Sequence, residues 1–281
     1  MNVATALQGD PGTRLERRLL LEAATHQNHA WLLSRPEYRL SPAEAATYHQ
    51  LLTRRAAGEP IAYLLGRHQF YGLELAVTPA VLIPRPETEG LVAWALEQLT
   101  PDNLLPVLDL GTGSGAIAIA LHVQRPKLSI TAVDVSAPAL ALARANAARW
   151  QATLMGPPIV FVQSHWFENL GTQRFGLILA NPPYVAEGDP HLKEGDLRFE
   201  PRSALCAGPK GLDALQSIIE QAPRHLHPGG ALLLEHGYDQ GAACRALFEA
   251  AGFKKISTRP DLAGTDRLTG GSLYPLPPEQ D

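Results

Sequence analysis

Four consecutive residues, Asn181-Pro182-Pro183-Tyr184, combine groups suited to holding a planar amine. The Asn181 side-chain carbonyl accepts hydrogen bonds, and the Pro182 carbonyl is a second acceptor, held by the ring of Pro183. Tyr184 adds a flat face. Two fixed acceptors beside an aromatic wall suit an NH2 on a planar carbon, as in a carboxamide or the exocyclic amine of a base. A second constellation is Gly111-Thr112-Gly113-Ser114-Gly115. Glycine turns the chain sharply and lets a ligand approach the backbone. A helix N-terminus behind such a turn presents free N–H groups. The spacing is G-x-G-x-G, not the G-x-G-x-x-G of dinucleotide-binding turns. Asp134 is the third: an acid ending the second strand of a βαβ unit accepts from ribose hydroxyls, a role weighed against that of a plain helix N-cap. Trp166 follows His165 at the end of a further strand and is placed to cover an adenine ring.

The elements that must position these residues are legible around them. Phe175 to Ala180 is a short apolar run that reads as a buried strand. Two prolines then stop it, since neither donates to a ladder. Asn181 is thereby expected at the carboxyl end of a central strand, where open α/β sheets bind ligands. Val107 to Leu110 is the strand before the glycine turn, and Ala116 to Val123 the small, apolar helix after it. Ser129 to Asp134 and Ile159 to Gln163 read as two more strands, with a helix over Pro138 to Trp150 between them. Gly230 to Glu235 is a fifth, and Phe253 to Arg259 with Gly271 to Tyr274 a terminal pair. Strands alternating with helices imply a mainly parallel, doubly wound sheet.

The first 69 residues read instead as a small helical domain. Leu15, Leu19 and Ala23 share a helical spacing, with Glu16, Arg17 and Arg18 expected outward. Ser41-Pro42-Ala43-Glu44 is a helix start with Ser as N-cap, Pro at the first position and Glu at the third. That helix runs to Gly58, and a short one over Pro60 to Leu65 is closed by Gly66. Residues 70–89 are expected to form a β-hairpin linker ending in Pro84-Arg85-Pro86-Glu87-Thr88-Glu89, and residues 90–281 the second domain.

Composition narrows the classes. The 281 residues are 45% apolar and 19% charged, as in a soluble globular chain. No apolar run reaches the roughly 18 residues that span a bilayer, and Met1 to Gly12 lacks the basic and apolar regions of a signal peptide. Cys206 and Cys244 are the only cysteines, so a cytoplasmic setting is expected. No Cys/His spacing suggests a metal, and His225 and His227 read as surface residues. A net charge of −4 argues against a nucleic-acid backbone as main partner. Nothing demands more than a monomer.

Taken together, Asp109 to Gly115, Asp134 and Asn181 to Tyr184 resemble class I S-adenosylmethionine-dependent methyltransferases that methylate amino groups. Phe70-Tyr71-Gly72-Leu73, Ile83 to Glu89, Glu200-Pro201, Ala204-Leu205 and Gly211-Leu212 narrow the resemblance to bacterial release factor glutamine methyltransferases. It covers nearly the whole chain from about residue 60, and the 84–89 stretch is its most specific part. The resemblance implies a Rossmann-like methyltransferase domain with a seven-stranded, mostly parallel sheet, preceded by a small helical domain that recognises the substrate. It implies methylation of the glutamine amide in the Gly-Gly-Gln motif of peptide chain release factors, with S-adenosylmethionine as cofactor and no direct nucleic-acid or membrane partner. Gly111, Thr112, Gly113, Ser114 and Gly115 would line the methionine moiety, Asp134 would hold the ribose, and Trp166 would lie near the adenine. Asn181 and Pro182 would grip the amide, as the catalytic pair, with Pro183 and Tyr184 packing on it. One departure is His165, where many relatives carry an acid. The resemblance assigns no individual roles to Arg85, Glu87 and Glu89. A ribosomal-protein glutamine methyltransferase, an N6-adenine nucleic-acid methyltransferase and a non-catalytic cofactor-binding module are the rival readings.

Overall fold

A computed structural model of the chain describes residues 1–9, 12–99, 105–151 and 156–274. Contacts divide it into two compact units. The first comprises Met1–His68, Val77–Pro79 and Pro190–Phe199; the second comprises Gln69–Ala76, Ala80–Asp189 and Glu200–Asp281.

The first unit is helical: α1 (Val3–Ala6), α2 (Arg14–Thr25), α3 (His29–Leu33), α4 (Pro42–Ala56) and α5 (Ile61–Leu65). Thr13 with Glu16 and Ser41 with Glu44 each form a reciprocal capping box, and Pro42 opens α4 as expected. Gly66 closes α5 in the left-handed conformation. Val3, Leu20, Leu21, Leu32, Tyr48, Leu51 and Leu64 form the core. The buried face of α2 differs from the sequence expectation. Leu15 is 55% exposed, whereas Arg17 is buried because its Nε donates to the Ala6 carbonyl at 3.1 Å. The helix therefore turns Arg17, Leu20, Leu21 and Ala24 inward.

β1 (Arg67–Phe70), whose last two residues belong to the second unit, and β2 (Leu73–Ala76) form a two-stranded hairpin. Tyr71 and Gly72 both take positive φ, the geometry of a two-residue turn that follows strand twist. Next come α6 (Thr88–Gln98), β3 (Val107–Leu110), α7 (Ala116–Gln124), β4 (Ile130–Asp134), α8 (Ala137–Gln151), β5 (Val160–Gln163) and β6 (Phe175–Ala180). Three short 3-10 turns lead to α9 (Asp213–Gln221), β7 (Leu226–Glu235), α10 (Gly241–Ala250), β8 (Lys254–Pro260) and β9 (Asp266–Ser272). The main sheet has seven strands in the order β5-β4-β3-β6-β7-β9-β8, parallel except for β9, which is antiparallel to both neighbours.

Alternation along the strands builds a core on each face. Val107, Leu177, Leu179 and Leu233 pack with α6 and α7. Leu108, Leu110, Ile178, Ala180, Leu232 and Leu234 pack with α9 and α10. The strand order reverses between β3 and its two neighbours, the place where such sheets bind ligands. Register sets the row there: Val133 pairs with Leu110, Leu110 with Ala180, and Ala180 with Leu234. The next residue on each strand is Asp134, Gly111, Asn181 and Glu235.

Two sequence expectations shift. The last strand begins at Asp266 rather than Gly271, because Asp261 accepts the amides of Ala263 and Thr265 and folds a tight turn just before it. His225 is half-buried, stacked on Phe167 with ring centroids 4.6 Å apart.

Candidate active site

A cavity of about 510 Å³ opens within the second unit where the strand order reverses. Of the sequence-selected residues, Gly111, Thr112, Gly113, Ser114, Asp134, Trp166, Asn181 and Pro183 line it. Gly115, Pro182 and Tyr184 do not line it. Gly115 sits behind the loop as the residue before α7, in the left-handed conformation.

The glycine turn is braced on every side. Thr112 N–H donates to the Val133 carbonyl at 2.8 Å, and its hydroxyl donates to Asp109 Oδ2 at 2.6 Å. Gly113 N–H donates to Asp134 Oδ2, and Ser136 N–H to Asp134 Oδ1, both at 2.9 Å. Burial raises the Asp134 carboxyl above its ordinary range, against these amides, which favour the charged form. With the Val135 amide also on this carboxylate, its roughly four acceptor sites still leave room for a hydroxyl donor. Asn146, on α8, is 1% exposed and donates to the carbonyls of Ser114 and Ala76, both at 2.9 Å. Trp166 takes a left-handed φ of 48°, unusual for a bulky residue. Its ring lies against Gly111, where a Cβ would come within 3.5 Å of it. His165 also lines the cavity, and its Nδ1 lies 3.2 Å from Glu168 Oε1.

Beside this half is a chain of side chains around Asn181. Its Nδ2 donates to Thr88 Oγ1 at 2.9 Å. The Thr88 hydroxyl donates to Glu235 Oε2 at 2.6 Å, and the Tyr184 hydroxyl to Glu235 Oε1 at 3.2 Å. Burial pushes the Glu235 carboxyl up to about 7. Burial and the Glu235 charge hold the Tyr184 phenol well above its ordinary range. The charges of the 84–89 stretch also acquire partners: Arg85 pairs with Glu200 at 2.6 Å, and Glu89 accepts the Tyr71 amide at 2.7 Å in the hairpin turn.

Sequence reasoning named Thr88 only as part of a motif and passed over Glu235. The signal for Glu235 was the one used for Asp134, an acid at the carboxyl end of a buried strand.

The small residues under the loop, the backbone amides and a carboxylate able to take hydroxyl donors fit a nucleoside carrying an amino-acid arm. The amide oxygen of Asn181 fits an NH2 donor arriving beside it. Among the described residues no cluster of His, Cys, Asp and Glu could hold a metal, and no helix is long and apolar enough to cross a membrane.

Comparison with known proteins agrees with this layout. The family model "Methyltransferase small domain" matches residues 93–195, and "PrmC N-terminal domain" matches residues 3–66. The release factor glutamine methyltransferase of Pseudomonas aeruginosa is 50% identical over 94% of this chain and 94% of its own. That of Burkholderia pseudomallei is 47% identical over 96% of this chain and 95% of its own, and that of Escherichia coli 44% over 95% of each. Among solved structures, a methyltransferase from Pyrococcus furiosus shares the fold, with a TM-score of 0.54 at 18% identity over 80% of this chain and 98% of its own.

Proposed function

The chain belongs to the release factor glutamine methyltransferase family, and we infer that it methylates the side-chain amide nitrogen of the Gly-Gly-Gln glutamine in peptide chain release factors. One observation carries this reading: the glycine turn and Asp134 line the same cavity as Asn181 and Pro183. A donor held by the first and an amide held by the second meet in one space.

Bound there, S-adenosylmethionine supplies an electrophilic methyl group on a sulfonium. Gly111, Thr112, Gly113 and Ser114 would line its methionine moiety, with Gly115 closing the turn behind them; Asp134 would hold the ribose and Trp166 would lie by the adenine. An amide nitrogen is a weak nucleophile because its lone pair is delocalised into the carbonyl. Asn181 Oδ1 and the Pro182 carbonyl accept its two hydrogens, aim the nitrogen and favour the positive charge that develops on it. Pro183 packs beside the amide, with Tyr184 behind it on Glu235. No dedicated base is required, since an N-protonated amide is acidic enough to release its proton to water.

Residues 1–69 recognise the release factor, residues 70–89 link, and residues 90–281 transfer the methyl group. The protein acts as a cytoplasmic monomer without direct nucleic-acid contact, in keeping with its net charge of −4.

Methyl-labelled cofactor tests the reading. Three acceptors are compared: a bacterial release factor, the same factor with the Gly-Gly-Gln glutamine changed to alanine, and unmethylated DNA. Label on the first alone is expected. Label on DNA, or equal label on the alanine variant, would overturn it.

A further inference from the structure

We propose that Thr88 and Glu235 are positioning residues for methyl transfer, holding the Asn181 side chain with its oxygen turned toward the acceptor amide. This rests on the reading of Asn181 as the residue that grips the glutamine.

The chain of hydrogen bonds has a direction. Glu235 is 0% exposed. A carboxylate only accepts, so the Thr88 hydroxyl at 2.6 Å must donate to it. The Thr88 proton is thereby committed, and only an oxygen lone pair remains for Asn181 at 2.9 Å. Asn181 meets that lone pair with Nδ2–H, which leaves Oδ1 for a donor. In the flipped amide, Oδ1 would face the Thr88 oxygen and the NH2 would face the hydrogens of the incoming amide. Both contacts would be like against like. The Tyr184 hydroxyl on Oε1 keeps the carboxylate from rotating away. Register supplies the proximity: Ala180 pairs with Leu234, so Asn181 and Glu235 leave neighbouring strands side by side.

Protonation of Glu235 would undo the arrangement. As an acid it gains a proton to donate, and Thr88 is released to turn its own toward Asn181. Burial is the chief cause that raises this carboxyl; the hydroxyls of Thr88 and Tyr184 oppose it, the Glu87 charge adds to it and Arg267 opposes it. His236 follows directly, held in its neutral form chiefly by burial. Transfer should therefore decline as pH falls through about 7.

The test measures kcat, KM for the release factor, cofactor affinity by calorimetry and the pH dependence of kcat. Thr88→Val keeps the shape and removes the hydroxyl; kcat should drop on the order of 10²-fold with cofactor affinity unchanged. Thr88→Ser should restore most of it. Glu235→Gln should lower kcat and abolish the acid limb seen in the wild type. Wild-type kcat in Thr88→Val, or an unchanged acid limb in Glu235→Gln, would overturn the proposal. Should those variants not fold, Glu235→Asp decides: its shorter arm should draw the carboxylate away from Thr88 and lower kcat with cofactor affinity unchanged, and wild-type kcat there would sink the proposal. Failure of the wild type to label the release factor would instead sink the functional reading beneath it.

Discussion

Asn181 and Asp134 are both polar residues at strand ends, yet their neighbours assign them different losses on mutation. Asn181 has one polar atom tied to Thr88 and the other turned free. Asn181→Ala should lower kcat by about 10²–10³-fold, the usual cost of one preorganised contact, while calorimetry shows cofactor still binding. Asp134 receives the amides of Gly113 and Ser136. Asp134→Ala should weaken cofactor binding first, by removing a ribose acceptor and loosening the loop together. Equal losses of binding in both variants would contradict the division. Two glycines make a parallel contrast in stability. Gly252 (φ 86°) has nothing within 4 Å of where a Cβ would stand, so Gly252→Ala should cost only the left-handed strain, about 1–2 kcal/mol. At Gly211 (φ 71°) the added Cβ would sit 2.2 Å from the Tyr184 carbonyl oxygen. Overpacking adds about 1–3 kcal/mol to the same strain, so urea unfolding should rank Gly211→Ala clearly below Gly252→Ala.

Elements carry the next level of coupling, and Asn146 shows it. Its side chain on α8 accepts the Ala76 amide at 2.7 Å and donates to the carbonyls of Ala76 and Ser114. One buried residue thus joins the hairpin end, the helix and the glycine turn. Asn146→Ala strands these backbone groups and should cost about 1–3 kcal/mol for each one left buried and unpaired. Hydrogen exchange at Ala76 should accelerate with it; unchanged protection there would show that the hairpin is held otherwise. The strands that frame the site were legible because each is a short apolar run cut by glycine or proline: β3 by Gly111, β6 by Pro182. β9 was misplaced because Asp266, Arg267 and Thr269 look like loop residues; their polarity is explained by the edge turn at Asp261 and by Thr269 meeting His236 Nε2 at 2.9 Å. The inner face of α2 was misread because a buried Arg17 breaks the apolar pattern. The Thr88–Glu235 link lay outside local reasoning altogether. Its members stand 147 positions apart, and strand register beside Asn181, not spacing, brings Glu235 to the site.

At the scale of the whole molecule, the two units should respond to pH in opposite directions. Asp109 and Glu235 in the second unit are both pushed up to about 7, chiefly by burial. At Asp109 the Thr112 hydroxyl and the Ala118 amide oppose the shift, and the Asp134 charge adds to it. Both folded values stand above the unfolded ones. Between about pH 4 and 7 the unfolded chain releases protons that these two carboxyls retain in the folded unit, so their contribution to stability falls as pH rises across that window and levels off above it; His122 and His236, held low chiefly by burial, contribute in the opposite sense. In the helical unit Glu16 and Glu44 are shifted the other way. Burial raises each, but the Thr13 amide and Arg55 outweigh it at Glu16, and the amide and hydroxyl of Ser41 with the Tyr38 hydroxyl outweigh it at Glu44. Their contribution is present at neutral pH and is lost as pH falls through the carboxylate range. Hydrogen exchange corrected for intrinsic rates separates the two responses. Amides of β3 and β6 should be better protected near pH 5 than near pH 7.5, and those of α2 and α4 no better at the lower pH. Asp109→Asn removes one of these raised carboxyls and should flatten the β3 response in part. Protection of β3 that rises toward pH 7.5 would mean that the buried Asp109 carboxyl is ionised throughout, stabilised by Thr112 and the backbone more strongly than burial opposes it.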